Sequence, residues 1–122
     1  MVRNLFPAGS FEIENQGPDI ELTWAVAIQR YADGQWTDAV TDLTLAKACG
    51  RGPESGCVRL AHSAKIRPER WNGLTCGSQC PAPCRANVYL GPGRFRFVVS
   101  SCDRRHQFMG PAFGMPAEGK SK

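Results

Sequence analysis

The sequence has few of the residues on which enzymes most often depend. It has two histidines among 122 residues, and it contains neither a Gly-x-Ser-x-Gly motif nor a phosphate-binding glycine motif. Glu12 and Glu14 alternate with Phe11 and Ile13, so we predict that these two carboxylates lie on a solvated strand face rather than in an acid/base pair. We therefore predict that the protein is not an enzyme.

Long apolar runs are also missing. No window comes near the roughly 18 consecutive apolar residues of a membrane-spanning helix, and no stretch has a convincing helical period. The first sixteen residues lack the apolar segment of a signal peptide, so we expect a mature form of the chain with Met1 as an added start. No Asn-x-Ser/Thr site occurs, which favours a bacterial protein over a eukaryotic one.

Alternation of apolar and polar residues is the strongest pattern present. Asp33-Gly34 is a two-residue hairpin signal, and Trp36 begins the strand that returns from it. Before this turn, the alternation predicts one half-buried strand over residues 20 to 31. Its inward face would carry five apolar side chains: Ile20, Leu22, Trp24, Val26 and Ile28.

A second alternating segment follows Gly91-Pro92-Gly93. It is predicted to turn Phe95, Phe97 and Val99 inward and Arg94 and Arg96 outward. With the other candidates, the chain has seven to nine short strands separated by turns about every ten residues, which is typical of a β-sandwich. We predict an all-β fold: a disulfide-stapled, mostly antiparallel β-sandwich at residues 1–116, with a flexible tail at 117–122.

Six cysteines in so short a chain indicate a disulfide framework and an oxidising compartment, so we predict a secreted or periplasmic protein. Cys49 and Cys57 bracket the glycine-rich segment GRGPESG and are expected to pair. The other four allow three pairings: Cys76, Cys80, Cys84 and Cys102. An even count favours a bridge from Cys102 to the loop at 76–84, whose internal prolines make it a poor zinc site.

The segment GPGRFRFVVSSCDRRHQFM is similar to the C-terminal part of cupredoxins, in which a glycine-opened aromatic strand runs into a Cys, His and Met ligand loop. The resemblance implies an alternative function, copper binding for electron transfer. The implied ligands are His62, Cys102, His106 and Met109. A disulfide at Cys102 would remove the thiolate that this alternative needs.

The sequence also resembles an immunoglobulin-like sandwich. This second resemblance depends on Trp24 in an early strand and on Phe95 and Phe97 in a glycine-initiated late strand. It implies the same two-layer fold and no particular function, because such folds serve many functions.

Our main functional hypothesis is a non-catalytic interaction module that binds another protein through a cysteine-tied loop at 68–86. Arg70, Trp71 and Arg85 are the candidate binding residues, because preorganised loops with Trp and Arg favour tight binding. Trp71 could instead fill one end of the sandwich. A protease inhibitor that inserts Arg70 or Arg85 into an acidic pocket is a second alternative. The sequence does not predict the oligomeric state.

Charge is divided unevenly along the chain. Residues 1–45 hold seven acids and two bases, whereas residues 46–122 hold thirteen bases and four acids. The basic half could attract an anionic ligand. Its arginines alternate with apolar residues, however, which is typical of a solvated sheet face, and nucleic acid is therefore not the expected partner.

Overall fold

The computed structural model describes residues 1–45, 56–68, 70–75 and 88–117, and all of its regular structure is β. No helix in these ranges is long and apolar enough to cross a membrane. The predicted tail at 117–122 lies outside the described residues except for Ala117. The strands are β1 (Val2–Leu5), β2 (Ser10–Glu14), β3 (Ile20–Thr23), β4 (Ala25–Ala32), β5 (Gln35–Thr44), β6 (Cys57–Leu60), β7 (Lys65–Ile66), β8 (Gly93–Ser100), β9 (Gln107–Met109) and β10 (Phe113–Met115).

The strands form three antiparallel sheets. A three-stranded sheet has the order β1-β2-β7, and a large sheet has the order β10-β8-β4-β5 with β9 also paired to β8. The third sheet pairs β3 with β6. Phe11 of the three-stranded sheet stacks on Phe97 of the large sheet with ring centroids 3.9 Å apart. The prediction of an all-β, antiparallel fold is confirmed, and its layers are compatible with a β-sandwich.

The hairpin predicted at Asp33-Gly34 is present between β4 and β5. Asp33 and Gly34 have φ angles of 53° and 77°, a left-handed conformation that this residue pair tolerates. The turn pairs Ala32 with Gln35, so that Tyr31 lies opposite Trp36. Local sequence therefore determines which aromatic residues meet across this hairpin.

The strand predicted over residues 20 to 31 is interrupted at Trp24. The Trp24 backbone N–H donates to the Gly56 carbonyl, and the Trp24 carbonyl accepts from the Leu45 N–H, at 2.8 and 3.1 Å. The chain thereby passes from the two-stranded sheet to the large sheet. The predicted inward positions Leu22, Val26 and Ile28 are fully buried, whereas Trp24 is only half-buried.

One disulfide lies within the described residues, and it differs from the predicted pairing. Cys57 bonds to Cys102 with 6.0 Å between their α-carbons, so Cys57 does not pair with Cys49 and Cys102 does not bridge to the loop at 76–84. The cause is tertiary: β3 pairs with β6, and the turn after β8 approaches β3 through the Cys102 N–H, which donates to the Glu21 carbonyl at 2.8 Å. A bridge across 45 residues stabilises the fold by about 4 kcal/mol in the chain-entropy picture. The remaining cysteines lie outside the described residues: Cys49, Cys76, Cys80 and Cys84.

Glu12 also departs from its predicted solvated position. Its side chain is 1% exposed and accepts hydrogen bonds from Arg3 and Arg67, both at 2.7 Å. The register explains this, because Arg3 lies directly opposite Glu12 and Arg67 follows β7, which pairs with β2 on the other side. The hydrogen bond from Arg67 is the main cause that lowers the pKa of Glu12, and burial acts against it. Alternation predicted that the Glu12 side chain points away from those of Phe11 and Ile13. It did not predict that Arg3 and Arg67 cover the Glu12 carboxylate.

Candidate functional site

Trp71 is part of the core, which contradicts its predicted role as a binding residue. Its side chain is 0% exposed. The ring packs edge-on against Phe95 with centroids 5.1 Å apart, and its Nε1–H donates to the Leu74 carbonyl at 2.9 Å. The backbone is held as well, because the Trp71 N–H donates to the Gly9 carbonyl at 2.9 Å. A partner cannot reach this side chain while the fold is intact.

Arg70 is half-buried beside the β1–β2 turn. Its Nε donates to the carbonyl of Ala8 at 2.8 Å, so part of its donor capacity is used to join two segments of the fold. Arg85, the third predicted binding residue, lies outside the described residues, as do Glu69 and residues 76 to 86 of the predicted loop. The part of the loop that the structure describes serves mainly to close the core.

The four residues of the copper alternative do not form a ligand set. Cys102 is in a disulfide and has no thiolate to offer. The Nδ1 atom of His62 lies 2.7 Å from the Gly17 carbonyl oxygen, while the His106 ring lies against Phe108. Met109 is 47% exposed. Among the described residues, no three His, Cys, Asp or Glu side chains are grouped so that they could hold a metal ion.

The surface of the large sheet that points away from the core brings together aromatic and basic side chains from three strands. We call it the outer sheet face and define it by Gln29 and Tyr31 of β4, Trp36 and Asp38 of β5, and Arg94 and Arg96 of β8. Strand register produces two rows. One row contains Trp36, Tyr31 and Arg94, and the other contains Asp38, Gln29 and Arg96.

Both arginines of the outer sheet face lie over aromatic rings. The guanidinium carbon of Arg94 is 5.6 Å from the centre of the Tyr31 ring, and that of Arg96 is 4.4 Å from the Trp36 ring. The two rings contact each other, with centroids 5.1 Å apart and planes tilted by 60°. Attraction between a guanidinium and the electron-rich ring face holds each arginine in place.

A chain of hydrogen bonds further orients Arg96. Its Nε–H donates to the Gln29 side-chain oxygen at 2.8 Å, and the Gln29 amide donates to an Asp38 oxygen at 3.1 Å. Asp38 thus acts through Gln29 and does not bond directly to either arginine. Within the described ranges, no carboxylate forms an ion pair with Arg94 or Arg96. The terminal guanidinium nitrogens therefore remain available to an anionic group of a partner.

A shallow depression continues along β8 beyond Arg96. It has a volume of about 190 Å³ and a floor of small side chains, with one further arginine at its margin. The residues that line it are Thr23, Ala25, Ala27, Val98, Ser100 and Arg104. Because Val98 is 4% exposed although it points outward, the floor lies below the level of the flanking side chains.

A larger cleft, of about 540 Å³, lies at the other side of the β8–β9 turn and includes Asp19, Asp103 and His106 in its lining. Two of its carboxylates are already used by the fold. Asp19 accepts from the Arg59 side chain and from the His62 N–H, and the Arg59 hydrogen bond is the main cause that lowers its pKa. Asp103 accepts from the Ser101 hydroxyl, which lowers its pKa in the same way. The Asp19 and Asp103 carboxylates are therefore less available to a ligand of this cleft.

The fold and this surface define the class of the molecule: an all-β, disulfide-containing protein with a basic and aromatic sheet face. No family model, curated protein or solved structure matches the chain. The resemblances to cupredoxins and to immunoglobulin-like domains are thus supported only at the level of an antiparallel β fold.

The sequence predicted that Arg94 and Arg96 point outward, but we interpreted them as part of a solvated sheet face without a binding role. We missed the aromatic partners, although one signal was present. The Asp33-Gly34 turn requires Tyr31 and Trp36 to face each other. The pairing of β4 with β8, which adds the arginines, has no local signal because the paired residues are 63 to 71 positions apart in the sequence.

Proposed function

We propose that this protein is a non-catalytic interaction module of an oxidising, extracytoplasmic compartment, and that it binds a partner protein through its outer sheet face. The observation that supports this most directly is the pair of arginines held over aromatic rings without a carboxylate partner in the described part of the chain. Tryptophan, tyrosine and arginine are the residues that contribute most to protein interfaces.

Preorganisation is the physical basis of the proposal. Ring contacts and the Gln29 hydrogen bond already restrict the side chains of Arg94 and Arg96. A side chain that is ordered before binding loses less conformational entropy when the partner arrives, so more of the contact energy appears as affinity. The positive charge of the chain, +4 at neutral pH, would also speed its encounter with an acidic partner.

The chemistry of the cysteines supports the proposed location. A bond between Cys57 and Cys102 persists where thiols are oxidised, as in secreted and periplasmic proteins. The proposed absence of catalysis is supported by the way polar groups are used: Asp19, Asp103 and His62 all take part in hydrogen bonds within the fold. The loop at 68–86 is less suited to the binding role, because Trp71 is buried.

The proposal can be tested by comparative affinity capture from extracytoplasmic fractions of the source organism. The baits are the wild type, a variant that combines Arg94→Gln with Arg96→Gln, and the control Arg105→Gln. Arg105 is an exposed arginine in the turn between β8 and β9 and is not one of the residues that define the outer sheet face. Candidate partners are then purified, and the Kd is measured by calorimetry.

We expect the double variant to bind the partner at least tenfold more weakly than the wild type, because buried arginine contacts are worth more than about 1.4 kcal/mol at a central position. The Arg105→Gln control should bind like the wild type. Equal affinity of the folded double variant and the wild type would remove the outer sheet face from the proposed function.

A further inference from the structure

The spacing of the arginines indicates what kind of segment the outer sheet face recognises. Arg94 and Arg96 are two residues apart on β8 and lie on the same face. In an antiparallel strand, such positions repeat about every 7 Å. An extended peptide presents its own alternate side chains with the same repeat, so carboxylates at positions i and i+2 of a partner match the spacing of the two β8 positions from which the guanidinium groups extend over Tyr31 and Trp36.

We infer that the partner contributes an extended segment with acidic side chains at alternate positions, which lies along β8 across the outer sheet face. This inference rests on the proposed function, and it adds the chemistry and conformation of the bound segment. A guanidinium fork pairs with a carboxylate through two parallel hydrogen bonds, which a lysine ammonium cannot do. Arginines that are held over aromatic rings therefore favour carboxylates, with which a guanidinium forms paired hydrogen bonds, over diffuse negative charge.

The depression beyond Arg96 supports an extended occupant of appreciable length. From Arg94 to Ser100, β8 advances by six residues, or about 20 Å. Ala27 and Val98 provide a low apolar floor along this path, and Arg104 also lines the depression. About six residues of an extended chain fit this distance, with room for a small apolar side chain after the acidic pair.

The same contacts disfavour single-stranded nucleic acid as the occupant. Proteins that bind such strands stack bases on exposed aromatic faces. Here guanidinium groups lie over the rings of Tyr31 and Trp36, and the rings also contact each other. A base would have to displace an arginine before it could stack, whereas a carboxylate can bind the guanidinium where it already lies.

The inference is tested with synthetic peptides and the full chain by NMR titration, which detects binding in the millimolar range. The main probe is an alternating acidic peptide of four Glu-Thr repeats, whose threonines favour an extended conformation. A block peptide, with all its glutamates before all its threonines, has the same composition and charge in a different register. An alternating basic peptide of four Lys-Thr repeats reverses the sign, and oligothymidylate and a heparin fragment serve as non-peptide polyanions. The signals followed are those of the Arg94 and Arg96 side chains at about 0.15 M salt.

We expect the alternating acidic peptide to shift the side-chain signals of both arginines and to bind at least fivefold more tightly than the block peptide. Arg94→Gln with Arg96→Gln should abolish these shifts, and Arg94→Lys with Arg96→Lys should weaken binding although the charge is unchanged. Arg105→Gln should bind as the wild type does, and the alternating basic peptide should not shift the arginine signals. Because all of these substitutions are on the surface, a folded spectrum is expected for each variant.

Three results would overturn the inference. The first is equal or tighter binding of the block peptide, which would indicate that net charge alone is recognised. The second is tighter binding of oligothymidylate or heparin at the same arginines, which would make the surface a general polyanion site. The third is the absence of any shift with the alternating acidic peptide. If that occurs while the double variant still loses the captured partner, the proposed function stands and only the acidic, extended segment is wrong.

Discussion

The two faces of β8 carry side chains of opposite character, although they alternate along the same eight residues. On the inner face, Phe95 and Phe97 are 0% exposed and contact other aromatic rings. On the outer face, Arg94 and Arg96 contact aromatic rings as cations and keep polar atoms in water. The two faces can therefore be tested separately, since changes on one face need not disturb the other.

A second pair of arginines, Arg3 and Arg67, differs from the pair on the outer sheet face in having a carboxylate partner. Arg3 and Arg67 of the three-stranded sheet both bond to the buried Glu12 carboxylate. They share one carboxylate of the fold, whereas neither Arg94 nor Arg96 forms an ion pair with any described carboxylate. Counting arginines along the sequence therefore overestimates the number available to a partner.

The largest expected effect comes from disrupting the inner face. Phe97→Ala removes the ring that stacks on Phe11 and Phe113, with centroids 3.9 and 4.9 Å away. Large-to-small changes of a buried aromatic residue typically cost about 3–5 kcal/mol, through lost burial and a residual cavity. Urea unfolding followed by tryptophan fluorescence would measure the free energy of unfolding.

If Phe97→Ala does not fold, Phe97→Leu provides the same test with a smaller loss, because leucine fills more of the cavity. Arg96→Gln, one residue away on the opposite face, is the matched control. A loss below about 1 kcal/mol for Phe97→Ala would contradict the stacked core.

Glu12→Gln is expected to lower the free energy of unfolding by a smaller amount, and this loss should depend on pH. The variant loses both ion pairs, but Arg3 and Arg67 are 64% and 62% exposed and can be hydrated instead, so the loss should be smaller than that of Phe97→Ala. The folded state lowers the pKa of Glu12, so its carboxylate stabilises the fold above the ordinary carboxyl pKa of about 4.3. That contribution disappears as the pH falls through the lowered value.

The measurement is the difference in free energy of unfolding between the wild type and Glu12→Gln at pH 7 and in acid below pH 4. We expect the difference to shrink in acid. Asp19 and Asp103 also have lowered pKa values, but they titrate in both proteins and cancel in the difference. A difference that is constant with pH would show that the Glu12 ion pairs do not contribute to stability.

Sequence reasoning succeeded where a feature depends on local pattern. Alternation predicted both faces of β8, and the Asp33-Gly34 dipeptide predicted the β4–β5 hairpin. The number of cysteines predicted that the protein contains disulfide bonds. These features follow from backbone geometry over a few residues, which a single sequence records directly.

Features that depend on distant segments were not predicted. The partner of Cys57 is set by the approach of Cys102 to β3, and the burial of Glu12 by arginines on two other segments. Trp71 lies in a stretch without strand alternation, so no local pattern indicated whether its side chain is buried in the core or exposed for binding. The outer sheet face also depends on distant segments, because its aromatic rings lie on β4 and β5 and its arginines lie on β8.

The smallest expected effect on stability is that of Arg94→Gln and Arg96→Gln, and it separates the roles of the two faces most clearly. A cation over an aromatic ring at an exposed site contributes about 0.5–1 kcal/mol, and glutamine keeps part of the packing, so each change should cost less than about 1 kcal/mol. Urea unfolding of each single variant measures this. A loss above about 2 kcal/mol would assign these arginines to the maintenance of the fold, as Arg3 and Arg67 are, whereas a small loss together with lost partner binding would assign them to recognition.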